Sequence, residues 1–367
     1  DGAGETLTLN DEDTIISGDS HLNTGVDVMT KFFDVLKFYA DDTITNGIDI
    51  LSEAVRAVSF YSDLEDAVDA FTYDVASTEI YSDTYERLRE TCGIVIGDTG
   101  DYSVDTGAIS GSDAGGDTVK NAEDIVPESG SSSYPLSTTF TINGLKVTVP
   151  EKSSLTTDQQ TIVKGIYSWW IKESLNLLEE SYGLTFDNDA TVTEINVTFP
   201  SMSGSSLAAV STGTSESTGK ALSLELQINM NYFTGISEDD ENGGGSNLYF
   251  DRTLAHELTH ALLGAKILYH NNLPGFFKEG IAELTHGIDD FRKSDITSLA
   301  SSSGNIATYL DTSNTKATST KHYAAGFMLL RYLAEQTAQA YANGDITIED
   351  EFNISGNSDF TISTSGT

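Results

Sequence analysis

The chain has 367 residues, with 57 Asp and Glu against 19 Lys and Arg, for a net charge of −38. That length has room for roughly two or three domains with a sizeable core. The acidity argues against nucleic acid or an anionic membrane as a partner, because phosphate recognition relies on Lys and Arg. A single cysteine, Cys92, rules out an intrachain disulfide. With no run of about 18 or more apolar residues, no membrane-spanning helix is expected.

In chain order, residues 5–9 (ETLTL) alternate and predict a short strand. Residues 21–92 read as helical. Val28, Phe32, Val35, Leu36 and Tyr39 recur at helical spacing, and so do Ile48, Leu51, Val55, Val58 and Tyr61. Two shorter segments follow near 63–73 and 79–91, punctuated by Asp and Thr as caps. Such stripes mark a core. Residues 97–133 are rich in Gly, Asp and Ser and read as a linker, with a domain boundary near 130. Their Asp-Gly spacing could hold Ca²⁺, although no stretch matches a calcium loop with its terminal Glu.

TTFTINGLKVTVP (138–150) is the clearest hairpin, turning on Asn143-Gly144. Residues 156–183 read as one long helix with Ile162, Ile166, Trp169, Trp170, Leu175 and Leu178 on its buried side. Gly183 is its left-handed cap. Residues 191–199 are a strand. So are 220–233, with Leu222, Leu224, Leu226, Ile228 and Met230 on one face. SEDDENGGGSN (237–247) is an exposed loop, either a calcium site or a solvated turn. A helix over about 247–264 ends at Gly264, and a second begins after Pro274-Gly275. A third covers about 320–340, with Tyr323, Phe327, Leu330 and Leu333 in phase. Residues 345–366 alternate like short strands broken by Gly-Asn. The two ends, DGAGETLTLN and TISTSGT, read as cuts within a longer product.

The chemistry concentrates in LAHELTHALLGA (254–265) and PGFFKEGIAELTHG (274–287). His256 and His260 are four apart, which stacks two imidazoles on one helix face, about 6 Å between Cβ atoms. One tetrahedral Zn²⁺ accepts both. Glu257, between them, is placed to take a proton from a water that the metal activates. A hydrolytic zinc site has three protein ligands and one open position. Glu279, after 18 intervening residues beyond His260 and on the second helix, is the expected third ligand.

HELTH followed by KEGIAE resembles the gluzincin group of zinc metallopeptidases, over roughly residues 220–335. The resemblance implies His256, His260 and Glu279 as ligands and Glu257 as general base. It implies that Glu283, four residues beyond the third ligand, hydrogen-bonds a ligand histidine. It also implies that the strand before the zinc helix, here 220–233, is a sheet edge pairing with extended substrate. A tyrosine in a Tyr-x-x-Gly-like helix commonly stabilises the oxyanion there. Tyr323 matches it, and adjacent His322 is the alternative donor. His270 and His286 are expected at the surface or supporting a ligand. Lys278 stands where Asn is frequent. No Gly-x-Met-Glu-Asn stretch precedes the zinc helix, which favours an endopeptidase over an aminopeptidase. Cys92 is either a small buried hydrophobe or a thiolate that fills the open zinc position and keeps the enzyme latent.

The expectation is therefore an α+β protein. A mainly helical domain with its linker (1–130) precedes a zincin-like catalytic domain (131–345) and a β-rich extension (346–367). Its function is expected to be that of a secreted or cell-surface, bacterial-type, Zn²⁺-dependent endopeptidase acting on protein or peptide. A binding or adhesion module with little turnover is the alternative, and an aminopeptidase a third.

Overall fold

The computed structural model describes residues 51, 52, 55, 63–76, 94–96, 102–104, 133–236, 243, 249–267, 269–286, 292–301 and 306–342. The expectations for residues 5–9, 79–91, 345–366, Cys92 and most of 21–61 and 237–247 lie outside them. In chain order the elements are α1 (Leu64–Ala76), β1 (Ile94–Ile96), β2 (Tyr102–Val104), β3 (Thr139–Ile142), β4 (Leu145–Thr148), α2 (Thr157–Gly165), a π turn (Ile166–Trp170), α3 (Ile171–Tyr182), β5 (Glu194–Thr198), β6 (Ala208–Thr214), β7 (Ala221–Ile228), α4 (Phe250–Lys266), α5 (Gly275–His286), α6 (Lys293–Ser301), α7 (Ile306–Tyr309) and α8 (Thr320–Ala342). Among the described residues no helix is long and apolar enough to cross a membrane. These residues fall into two compact units, one drawn from Lys120–Asn272 and Ile281–Phe291, the other from Asp1–Val119, Leu273–Gly280 and Arg292–Thr367.

The first unit is a mixed α/β body around a five-stranded sheet of order β3-β4-β5-β7-β6. Asn143 and Gly144, with φ of 43° and 81°, make the turn of the β3–β4 hairpin. Gly144 is required twice over, because a Cβ there would also overlap the Phe186 carbonyl. The chain then crosses over through α2 and α3 and returns as β5, parallel to β4. β5 pairs parallel with β7, and β7 pairs antiparallel with β6. Leu145, Val147, Ile195, Val197, Leu224, Leu226 and Ile228 are all buried. They form an apolar sheet face; α4 packs against β6 and β7, and α3 packs on α4.

Three expectations change here. The strand within 220–233 is interior, between β5 and β6, and the edge on that side of the sheet is β6. Leu222 leaves the apolar face and is 62% exposed, because the register shifts opposite Gly213/Thr214 and turns Ala221 inward instead. The long helix over 156–183 is broken by the π turn. That turn lays the Trp170 ring over Gly165, where a Cβ would overlap it. It also lets Trp169 and Trp170 both be buried, Trp170 against Phe250 at 5.1 Å between ring centroids. The ends of the segment follow its sequence. Thr156 and Gln159 form a capping box, and Gly183 closes α3 in the left-handed conformation.

α4 is buried on every side except at His260. Polar as well as apolar side chains of this helix are buried, which places it inside the unit. It continues past Gly264 to Lys266. The buried Lys266 ammonium donates to both Asp187 carboxylate oxygens, at 2.6 and 2.7 Å, and its charge favours the carboxyl end of the helix.

In the second unit, α1 buries Leu64, Ala67 and Phe71, and the Phe71 ring meets Tyr332 of α8 at 5.1 Å. β1 and β2 pair antiparallel, Ile94 opposite Val104. β2 lies inside the stretch expected to be linker. Ile-Val-Ile and Tyr-Ser-Val are strand formers, and only the residues between them have turn chemistry. Residues at the start of α5 pack on α8 through glycines. A Cβ on Gly326 would overlap the Phe276 carbonyl, and a Cβ on Gly280 would crowd the Gly326 backbone. Gly275 opens α5 with its N–H on the Asn314 carbonyl at 2.8 Å.

Candidate metal centre

One turn of α4 separates His256 from His260, and their Nε2 atoms lie 3.1 Å apart. The rings meet edge to face, 4.8 Å between centroids and 78° between planes. Glu279, on α5, joins them. One ligand atom from each of His256, His260 and Glu279 lies within 4.8 Å of the others. Glu283 stands one turn further along α5. Its Oε1 is 3.6 Å from His256 Nδ1, and it is only 2% exposed. A carboxylate facing Nδ1 favours the tautomer protonated there, which turns the Nε2 lone pair toward His260 and Glu279.

This donor set fits a divalent ion. Two nitrogens about 2.0–2.1 Å from a tetrahedral zinc stand about 3.3–3.4 Å apart, close to the observed spacing. Glu257 and Glu283 are buried, and Glu279 is half-buried. Gathering carboxylates out of water beside two imidazoles is costly, and a dication offsets that cost.

Glu257 follows His256 on α4 and is 8% exposed. The Val210 N–H of β6 donates to its Oε2 at 2.7 Å. A short bond to a charged acceptor is among the stronger hydrogen bonds available. The later part of α5 is held from a different side. The Tyr182 hydroxyl at the end of α3 meets Thr285 Oγ1 at 3.1 Å, and Thr285 donates to the Ile281 carbonyl, also at 3.1 Å. Burial pushes the Tyr182 phenol well above its ordinary range, so it remains a donor at all working pH values. Burial also lowers the Lys278 ammonium, and the adjoining Glu279 carboxylate works against that.

The remaining site candidates sit as follows. The His322 ring packs edge-on against Tyr309 at 5.2 Å, with Nδ1 3.2 Å from the Ser319 carbonyl. A carbonyl only accepts, so Nδ1 carries the proton. The Tyr323 ring lies under the Arg292 guanidinium at 4.8 Å, one helical turn before Gly326. His270 is buried, not at the surface. The His286 side chain lies outside the described ones. Sequence reasoning missed Val210, Thr285 with Tyr182, and the Gly280–Gly326 approach. The two glycines left a signal, since each lies beside or within a motif already singled out. Val210 left none, because it acts through its backbone. No family model, curated protein or solved structure matches the chain.

Proposed function

We propose that this protein is a zinc-dependent endopeptidase with a zincin-like catalytic domain, acting on protein or peptide outside the cell. The observation that carries the reading is the convergence of His256, His260 and Glu279 within 4.8 Å, with Glu257 on the same helix as the two histidines. Bound by those three side chains, Zn²⁺ supplies a Lewis acid that acidifies water and polarises a carbonyl. Glu257 takes the proton of the attacking water and returns it to the leaving amine. Glu283 holds the His256 ring in register. Tyr323 donates to the developing oxyanion. Its place one turn from Gly326, which approaches the Gly280 that adjoins Glu279, supports it. His322 is the weaker donor candidate, because its ring is engaged with Tyr309 and Ser319.

The edge strand supports a peptide substrate. Asn229 N–H bonds the Leu207 carbonyl, and Ala208 faces Ile228 in the register. Alternation along the ladder then turns the backbone groups of Ala208, Val210 and Thr212 away from β7. An extended chain added at that edge gains main-chain hydrogen bonds with little sequence demand.

Casein hydrolysis with and without a chelator, alongside Glu257→Ala, tests the reading. Chelator-sensitive cleavage that Glu257→Ala abolishes while retaining zinc is the expected result. Zinc uptake without any cleavage points instead to a binding or adhesion module. Cleavage of a free-amine reporter but not its acetylated form points to an aminopeptidase.

A further inference from the structure

We propose that Val210 is a positioning residue for Glu257, acting through its backbone N–H. The edge strand, not only the helix, would then aim the general base. The inference rests on Glu257 being that base.

The geometry is specific. The Val210 N–H to Glu257 Oε2 distance is 2.7 Å, and the carboxylate is 8% exposed. Val210 lies at an outward position of β6, where no strand of the sheet supplies an acceptor. β6 is also tied to the chain just beyond α4. Tyr269 N–H donates to the Thr218 carbonyl in the β6–β7 loop at 2.8 Å, and Gly219 passes so close to the Tyr269 backbone that a Cβ would crowd it. At the other end of β6, Asn229 Nδ2 donates to the Ser206 carbonyl at 2.8 Å. The strand is therefore fixed relative to the helix bearing Glu257, and the donor needs no reorganisation to hold the carboxylate. Oε2 is engaged, which leaves Oε1 to move the proton. The amide at 210 is likewise engaged, so a peptide laid along β6 pairs through Ala208 and Thr212.

The first test is residue-resolved amide exchange on the uniformly ¹⁵N-labelled full chain, metal-free and zinc-loaded. The Val210 amide is expected to exchange slowly in the wild type and about tenfold faster or more in Glu257→Ala, with inward-facing Ser211 unchanged. Val210→Ala keeps the donor, and its amide at 210 is expected to stay slow. Equal rates at 210 with and without the Glu257 carboxylate would overturn the proposal. The second test is Val210→Pro, which removes that donor at an outward edge position where proline breaks no ladder bond. Zinc affinity and KM are expected to hold while kcat falls about tenfold or more. Retained kcat would overturn the proposal. Should Val210→Pro not fold, the exchange comparison decides alone. If the wild type takes up zinc but cleaves nothing, the proposed function fails while the exchange comparison still tests the contact.

Discussion

Glu283 touches the proposed metal only through His256, yet at 2% exposure it is among the most deeply buried acids described. Facing His256 Nδ1, it sets the tautomer and the direction of the ligand nitrogen. Glu283→Gln is expected to weaken zinc binding about 10–100-fold, read by competition with a chromophoric chelator. Glu257→Gln is expected to do the opposite: zinc affinity stays and cleavage goes. Were both variants to lose zinc equally, the division between ligand support and proton transfer would be wrong.

At the scale of elements, the approach of α5 to α8 depends on two residues with no side chain. Gly326→Ala drives a methyl into the Phe276 carbonyl, and is expected to lower stability by about 1–3 kcal/mol in denaturant titration. An unchanged midpoint would mean the helices separate freely. The elements also show what the sequence made legible. α4, α5 and α8 were readable because their apolar residues recur at helical spacing, and Pro274-Gly275 marked the start of α5, whereas Gly264 placed the end of α4 two residues early. The β3–β4 turn was readable because Asn-Gly demands positive φ. The edge strand was not. Ala208-Ala-Val-Ser-Thr-Gly-Thr buries little, so no alternation marks it, and the edge role that the resemblance implies fell on β7, the strand that could be read just before the zinc helix. The π turn was invisible for another reason. Its apolar pattern suits a continuous helix, and only the volume of two tryptophans forces the extra residue. In the site, His256, His260 and Glu279 were legible from side-chain chemistry, while the Val210 donor was hidden because every residue but proline carries an N–H.

Across the whole molecule, acid stability should follow the Asp187–Lys266 pair, which links the loop after α3 to the end of α4. Burial pushes the Asp187 carboxyl up, but the Lys266 ammonium, the Asp189 N–H and the Thr185 hydroxyl outweigh it and bring the group down to about 2. A carboxyl lowered on folding contributes stability above its unfolded value near 4, and loses it as pH falls through about 2. Asp187→Asn is therefore expected to lower stability at neutral pH and to flatten the loss between about pH 4 and 2, followed by thermal melts. Parallel curves for wild type and variant would remove the pair from the acid response. The account as a whole turns on a metal that three side chains select. Metal content per purified chain, measured for wild type and for His260→Ala after exchange into zinc-containing and then zinc-free buffer, tests that most directly. One zinc per wild-type chain and none in His260→Ala is the expected result. A wild type with no stoichiometric metal, or a variant that keeps it, would contradict the account at its base.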